Sequence, residues 1–422
     1  MDRLTMVDEI FLRRHHGYGV PIVMQGVWRT AAVVDPAVLE SVHAALTRSA
    51  LGRRVVRPRV PGARPRWEAS TGAHPIRYDR DPVDDVVRWA DARADVDVDP
   101  EFGPGWALSA APVTGGGTVI SLVCSHVVAD ARGLASAVDA ALTGRPPAPT
   151  PPRSSDVGDA IRTVGTVLIG GARASLGLLF SARRRRELRE FVAANPGPRP
   201  ERTHVTTGTC TAIVDVDAAR WDAAAAAEGG TANGLFIAVV TAIADAAGVP
   251  MPLHISVPVD TRDSDGVDNA MVITEVVATP SDSLADIRRS SRAAFAGRPK
   301  GAPSGFPEET AQILPDRIAA HLTAGAGELD ALCSNIGRLP DALASLGPHR
   351  ATGVATRAMH PGISRARPVR TTTHLSAYLC SHGGTYTLSL VGIDSDRFDS
   401  GERLRDLAVS ELAARGLTAH SW

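Results

Sequence analysis

The stretch SLVCSHVVADARGL (121–134) sets His126 four residues ahead of Asp130, after an apolar run and before small, helix-compatible residues. An imidazole can be neutral near pH 7 and can take a proton from a hydroxyl or an amine. Asp130 could fix the loop through an ion pair with an arginine, or cap the helix that follows. The spacing alone is weak, because thirteen histidines produce about one such match by chance. Its context is more informative. WALSAAPV, TGGG and TVISLVC read as a β-hairpin with Gly115, Gly116 and Gly117 in the turn. That hairpin would deliver His126 at the end of a rigid strand, where binding and catalytic groups tend to lie.

The elements around this unit alternate between strand and helix. IVMQGVW reads as a strand, and DPAVLESVHAALTRSA as a helix capped by Asp35 with Pro36 in its first turn. In the second half, CTAIVDVD, PLHISVPVDTR, NAMVITEVVATP and LDALCSNIG read as strands, and THLSAYLCSHGG with TYTLSLVGID as a hairpin. AARWDAAAAAEGG, SLADIRRSSRAAFAG and GERLRDLAVSELAARG read as helices, and TANGLFIAVVTAIADAAG as a buried one capped by Thr231 or Asn233. This order is α/β throughout. The Pro-rich stretch 143–156 disfavours helix and reads as a linker, dividing an N-terminal subdomain (1–150) from a C-terminal one (151–422).

Bulk properties narrow the function. A chain of 422 residues with 44% hydrophobic and 22% charged content is globular and large enough for two cores. A net charge of −1 offers no global attraction for nucleic acid. Cys124, Cys210, Cys333 and Cys380 are scattered, so we expect neither a disulfide framework nor a metal site, and read them as small buried hydrophobes. The N-terminus has no signal-peptide pattern, and the expectation is a soluble, cytoplasmic protein. The apolar run 161–182 contains Arg162 and Arg173, which argues against a membrane span. It reads either as a helix packed on its own domain or, with the Arg183–Arg186 run, as an interfacial helix giving peripheral lipid contact over 161–186. The arginine run could also receive an acidic carrier protein or phosphates.

The strand–His-x-x-x-Asp–helix unit resembles the HHxxxDG motif of the condensation-domain and chloramphenicol-acetyltransferase-like superfamily. SVPVDTR followed by DNAMVITEVVAT is similar to that superfamily's PVDLR…GN strand pair, and CSNIGRLP to its SN-x-G stretch. The helix VVDPAVLESVHAAL, the buried helix and the late hairpin match in the same order, and the length resembles polyketide-associated and wax-ester-type acyltransferases. The sequence departs twice: Ser125 replaces the first histidine and Ala131 the glycine.

The resemblance implies two chloramphenicol-acetyltransferase-like subdomains in a V, with an active-site tunnel between them and no bound cofactor. It implies a monomeric enzyme of lipid or secondary-metabolite biosynthesis, with acyl-CoA or an acyl carrier protein as donor and an alcohol or amine as acceptor. His126 would be the general base and Asp130 a structural partner of Arg262. Asn269, Ser334 and Asn335 would line the tunnel, where an amide or hydroxyl could steady an oxyanion. Ester formation is the leading expectation, with amide formation beside it. A degenerate acyl-thioester-binding or lipid-binding protein is the reading that Ser125 and Ala131 would favour.

Overall fold

A computed structural model describes residues 3–16, 20–145, 154–194, 202–262, 267–296, 307, 309–313 and 328–422. The architecture is mixed α/β, built on two large sheets. The first has six strands in the order Ser345–Leu346, His349–Met359, Val23–Thr30, Thr118–Ser125, Trp106–Pro112, Arg77–Tyr78. The second has seven, in the order Met271–Ala278, Leu253–Asp260, Ala331–Arg338, Leu375–His382, Thr385–Gly392, Cys210–Asp217, Ala419–Ser421.

Local sequence explains many of these elements. The glycine turn of the first hairpin holds Gly115, Gly116 and Gly117 at φ 87°, 115° and 87°, a region that L side chains rarely enter. Trp106–Pro112 then pairs antiparallel with Thr118–Cys124. Asp35 accepts from the Ala37 N–H at 2.9 Å with Pro36 as the first helical residue. Of the two candidates for the buried helix Ala232–Ala246, Thr231 supplies the cap, accepting from the Gly234 N–H at 3.0 Å. Phe236, Ile237, Val239, Val240 and Ile243 of that helix are fully buried in the second core.

The first sheet draws strands from both sides of residue 150. Strand His349–Met359 leaves the second half of the chain and pairs antiparallel with Val23–Thr30 in the first sheet. Ala351, Val354, Ala358 and Met359 accordingly join the first core. Residues 146–153 of the expected linker lie outside the described residues. The two halves are also joined by a polar knot. Arg357, fully buried, bonds to Gln25 at 2.8 Å, to Thr211 at 2.9 Å and to Asp91 at 2.7 Å. A buried guanidinium is tolerated only with such partners.

The apolar run 161–182 is helical, as its composition suggests. It forms a helix, Asp156–Phe180, followed by a second, Ala182–Ala194. Several of its large apolar side chains face outward: Ile161, Leu168, Leu179 and Phe180 are 70%, 66%, 68% and 84% exposed.

Candidate functional site

Strand Thr118–Ser125 ends where the chain needs a tight turn, and the backbone fixes that turn from several sides. The Ser125 N–H donates to Gly105 O, the His126 N–H to Ile22 O and the Val128 N–H to Ser125 O, each at 2.9 Å. Ser125 is fully buried, and its Oγ accepts from the Val127 N–H at 3.3 Å. Ser125, which stands where the motif has its first histidine, thus closes the turn beneath His126. Ala131 begins the helix Ala131–Leu142, and among the described residues only glycines have positive φ. An alanine at this position therefore carries no backbone strain. The close approach falls instead at Gly133, where a Cβ would sit 2.5 Å from Val267 O.

His126 is 9% exposed. Its Nδ1 lies 3.0 Å from Asn269 Oδ1. The orientation of Asn269 is set by its other neighbours. Its Nδ2 faces Asp8 Oδ1 at 2.8 Å, His126 O at 2.8 Å and Val127 O at 3.3 Å. All three are acceptors, so the nitrogen must point to them and the oxygen to the ring. Asn269 Oδ1 can only accept, so His126 Nδ1 carries the proton and Nε2 keeps its lone pair. Among the described residues no side chain hydrogen-bonds to Nε2. Phe11 stacks on the imidazole, with centroids 3.8 Å apart and planes at 14°. Burial lowers the pKa of His126 below its usual value, against the opposing pull of Asp130, and Arg14 disfavours protonation further. The ring is thereby held neutral.

Asp130 is turned to other work. One carboxylate oxygen accepts from the Gly133 N–H at 2.8 Å, capping the helix. The other is in ion-pair contact with Arg262. Arg262 also donates to Asp268 O at 2.7 Å and reaches Asp260 Oδ1 at 3.1 Å. From the opposite side Arg53 donates to Val128 O at 2.6 Å and pairs with Asp268 at 2.6 Å. The loop 126–130 is therefore clamped by residues from both halves of the chain. The geometry unites His126, Asp130, Arg262 and Asn269, and it differs from a Ser-His-Asp arrangement because the carboxylate does not bond to the ring.

Two expected positions lie elsewhere. Asn335 is exposed; its Nδ2 donates to Asn233 Oδ1 at 3.0 Å and its Oδ1 accepts from the Gly337 N–H at 3.0 Å, across a register shift between Asn335 and Gly337. Ser334, its neighbour in the strand, is partly buried. Neither contacts His126 among the described residues. Asn269 touches the ring and the loop backbone directly, so it positions the base.

Several residues of the site come from segments with no signature. Helix Met6–His16 supplies Asp8 and Phe11, three residues apart and on one helical face. Asp8 is fully buried and accepts from the Thr5 N–H at 2.8 Å as well as from Asn269; burial raises its pKa. For His360, just after strand His349–Met359, burial pushes the pKa down to about 4, with Arg14 and His126 disfavouring its charged form further. Cys124, beside the turn, is buried with its thiol pushed up to about 12. That leaves no thiolate to act as a nucleophile.

No protein-family model and no curated protein matches the chain. Solved structures do. The wax ester synthase/diacylglycerol acyltransferase from Marinobacter aquaeolei VT8 superposes with a TM-score of 0.60 at 15% identity, over 98% of each chain. The first condensation domain of the calcium-dependent antibiotic synthetase gives 0.60 at 17% identity, over 98% of this chain and 96% of that one. Polyketide synthase associated protein 5 from Mycobacterium tuberculosis gives 0.57 at 14% identity, over 97% of each chain. The chain thus has, from end to end, the chloramphenicol-acetyltransferase-like fold that condensation domains share with wax-ester-type acyltransferases.

Proposed function

We propose that the protein is an acyltransferase in which His126 Nε2 removes the proton of an acceptor hydroxyl as its oxygen attacks an acyl thioester. One observation carries this reading: a buried, neutral imidazole whose Nδ1–H is engaged by Asn269, so that Nε2 is the basic atom. The fold shared with a wax ester synthase and with condensation domains supports it. In the reaction the acceptor O–H proton passes to Nε2 and a C–O bond forms to the thioester carbonyl. The tetrahedral intermediate then collapses with cleavage of the C–S bond. The thiolate takes the proton back from the imidazolium, so His126 ends neutral. Asn269 Oδ1 stabilises the transient imidazolium through Nδ1–H, and Asp130, tied to Arg262, holds the loop. The donor is an acyl thioester of coenzyme A or of a carrier protein. The acceptor is an alcohol, giving an ester; an amine in the same position would give an amide.

The test is thiol release from acyl-CoA and acyl-pantetheine donors of graded length, with and without long-chain alcohols and amines, and mass analysis of the product. Alcohol-dependent thiol release with ester formation is the expected result. Tight thioester binding with no turnover for any acceptor would overturn the enzyme reading. Amide in place of ester would move the acceptor to an amine.

A further inference from the structure

The helix Asp156–Phe180 has its amphipathic character reversed. Val157, Ile161, Leu168, Ala172, Leu176 and Leu179 are spaced 4, 7, 4, 4 and 3 residues apart, which puts them on one face. All six are exposed, and Ile169 and Phe180 extend the same surface. On the opposite side the buried residues are small or polar, Asp159, Ala160, Thr163 and Ala174, with Val164, Val167 and Leu178 half-buried beside them. Gly170 lies so close to Pro307 that a Cβ would meet its Cγ at 2.3 Å. A surface helix ordinarily turns its large apolar side chains inward; this one turns them out.

The charges say what covers that face. From residue 161 to residue 189 there are seven arginines and one glutamate. Arg162 and Arg173 are exposed and flank the apolar stripe on one side. The next helix begins with Arg183–Arg186, and Arg183 is already paired with Glu187 at 3.0 Å. The helix's own acids are occupied too. Asp156 is paired with Arg3 at 2.7 Å, and Asp159 with Arg64 at 2.7 Å. A second copy of this face would therefore bring arginines and no free carboxylate to meet them. An anionic lipid surface supplies both the apolar layer and the counter-charge. We propose that Asp156–Phe180 and the basic start of Ala182–Ala194 form a docking surface that lies flat on an anionic bilayer.

Lying flat, and not spanning, follows from the attachments. The helix is long and apolar enough to cross a bilayer by length and composition. Its inner face, however, is fixed to the protein at Asp156, Asp159, Gly170 and Ala174, along most of its length. Crossing would also carry Arg162 and Arg173 into hydrocarbon. On the surface both reach the headgroups while the leucines sink below them. The inference stands independently of the proposed reaction.

Vesicle flotation of the full chain tests it, with phosphatidylcholine alone against phosphatidylcholine containing phosphatidylglycerol. Three variants are compared: wild type, Leu168→Ser/Leu176→Ser/Leu179→Ser, and Arg162→Ser/Arg173→Ser/Arg183→Ser. All six positions are exposed, so melting temperatures should stay near wild type, and this is checked first. Wild type should float with anionic vesicles, at least tenfold more weakly with neutral ones, and less in high salt. Each surface arginine near an anionic bilayer is worth about 1 kcal/mol, so the arginine variant should bind roughly 100-fold more weakly. The leucine variant should lose binding at least as fully. Wild type that stays with the supernatant, or a leucine variant that floats like wild type, overturns the proposal. So does a micromolar dimer that the leucine substitutions dissolve, since a second copy would then cover the face.

Discussion

Arg262→Met separates the two halves of the clamp that holds His126. The side chains of Asp130 and Arg262 are 8% and 11% exposed, and each comes from a different sheet region of the chain. Removing the guanidinium leaves a buried carboxylate whose remaining hydrogen-bond partner among the described residues is the Gly133 N–H at 2.8 Å. It also removes the Arg262 donor to Asp268 O, a hydrogen bond of 2.7 Å. One-sided loss of such a pair costs on the order of 3–5 kcal/mol. Asp130→Asn keeps an oxygen for the helix cap but turns a donor toward Arg262, so its cost should fall in the same range. In the double variant neither charge is stranded. The cycle should close with a coupling of about 2 kcal/mol or more, measured by urea unfolding of all four proteins. Turnover should fall in both single variants, because the loop that carries His126 loses its hold. Costs that add to within about 0.5 kcal/mol would refute this, since independent sites behave that way.

Other outcomes follow from the same geometry. Burial lowers the pKa of His126, so the acid limb of kcat/KM should lie below pH 6.5 and activity should persist as pH falls through that value; a limb at or above 6.5 would contradict a desolvated ring. Asn269→Ala removes the hydrogen bond to the imidazolium, worth about 1–1.5 kcal/mol, and should lower kcat roughly tenfold with KM little changed. Asp8→Ala removes the acceptor of the buried Asn269 backbone N–H and one of the three acceptors around its Nδ2, and should cost about 1–3 kcal/mol in chemical denaturation while lowering kcat in the same direction. Cys124 should resist iodoacetamide in the native protein, with no loss of activity, because its thiol is buried and pushed up to about 12.

The sequence disclosed what is encoded locally. Gly115–Gly117, Asp35 and Thr231 act within a few residues of themselves, so the hairpin and two helix starts could be read directly. His126, Asp130 and Arg262 could be singled out by residue type and motif, and they do meet. Asp8 and Phe11 could not. Nothing in MVDEIFLRRHH distinguishes a helix that packs on the site from any short polar helix, and the contacts to Asn269 and His126 span more than a hundred residues. Strand His349–Met359 was equally illegible as a member of the first sheet, because pairing partners 330 residues away leave no local trace. Ser334 and Asn335 were singled out by a motif fragment alone, and what the structure shows of them is local: Asn335 accepts from the Gly337 N–H across a register shift.

The most direct test of the base is a single-turnover comparison of wild type with His126→Ala, following thiol release at saturating donor and acceptor. The imidazole fills a position stacked on Phe11, so melting temperature and donor affinity are measured alongside to show that the fold and the binding site survive. If Nε2 removes the acceptor's proton, the rate should fall by roughly 10²–10⁴-fold while the donor still binds. A folded His126→Ala protein that releases thiol at the wild-type rate would contradict the account.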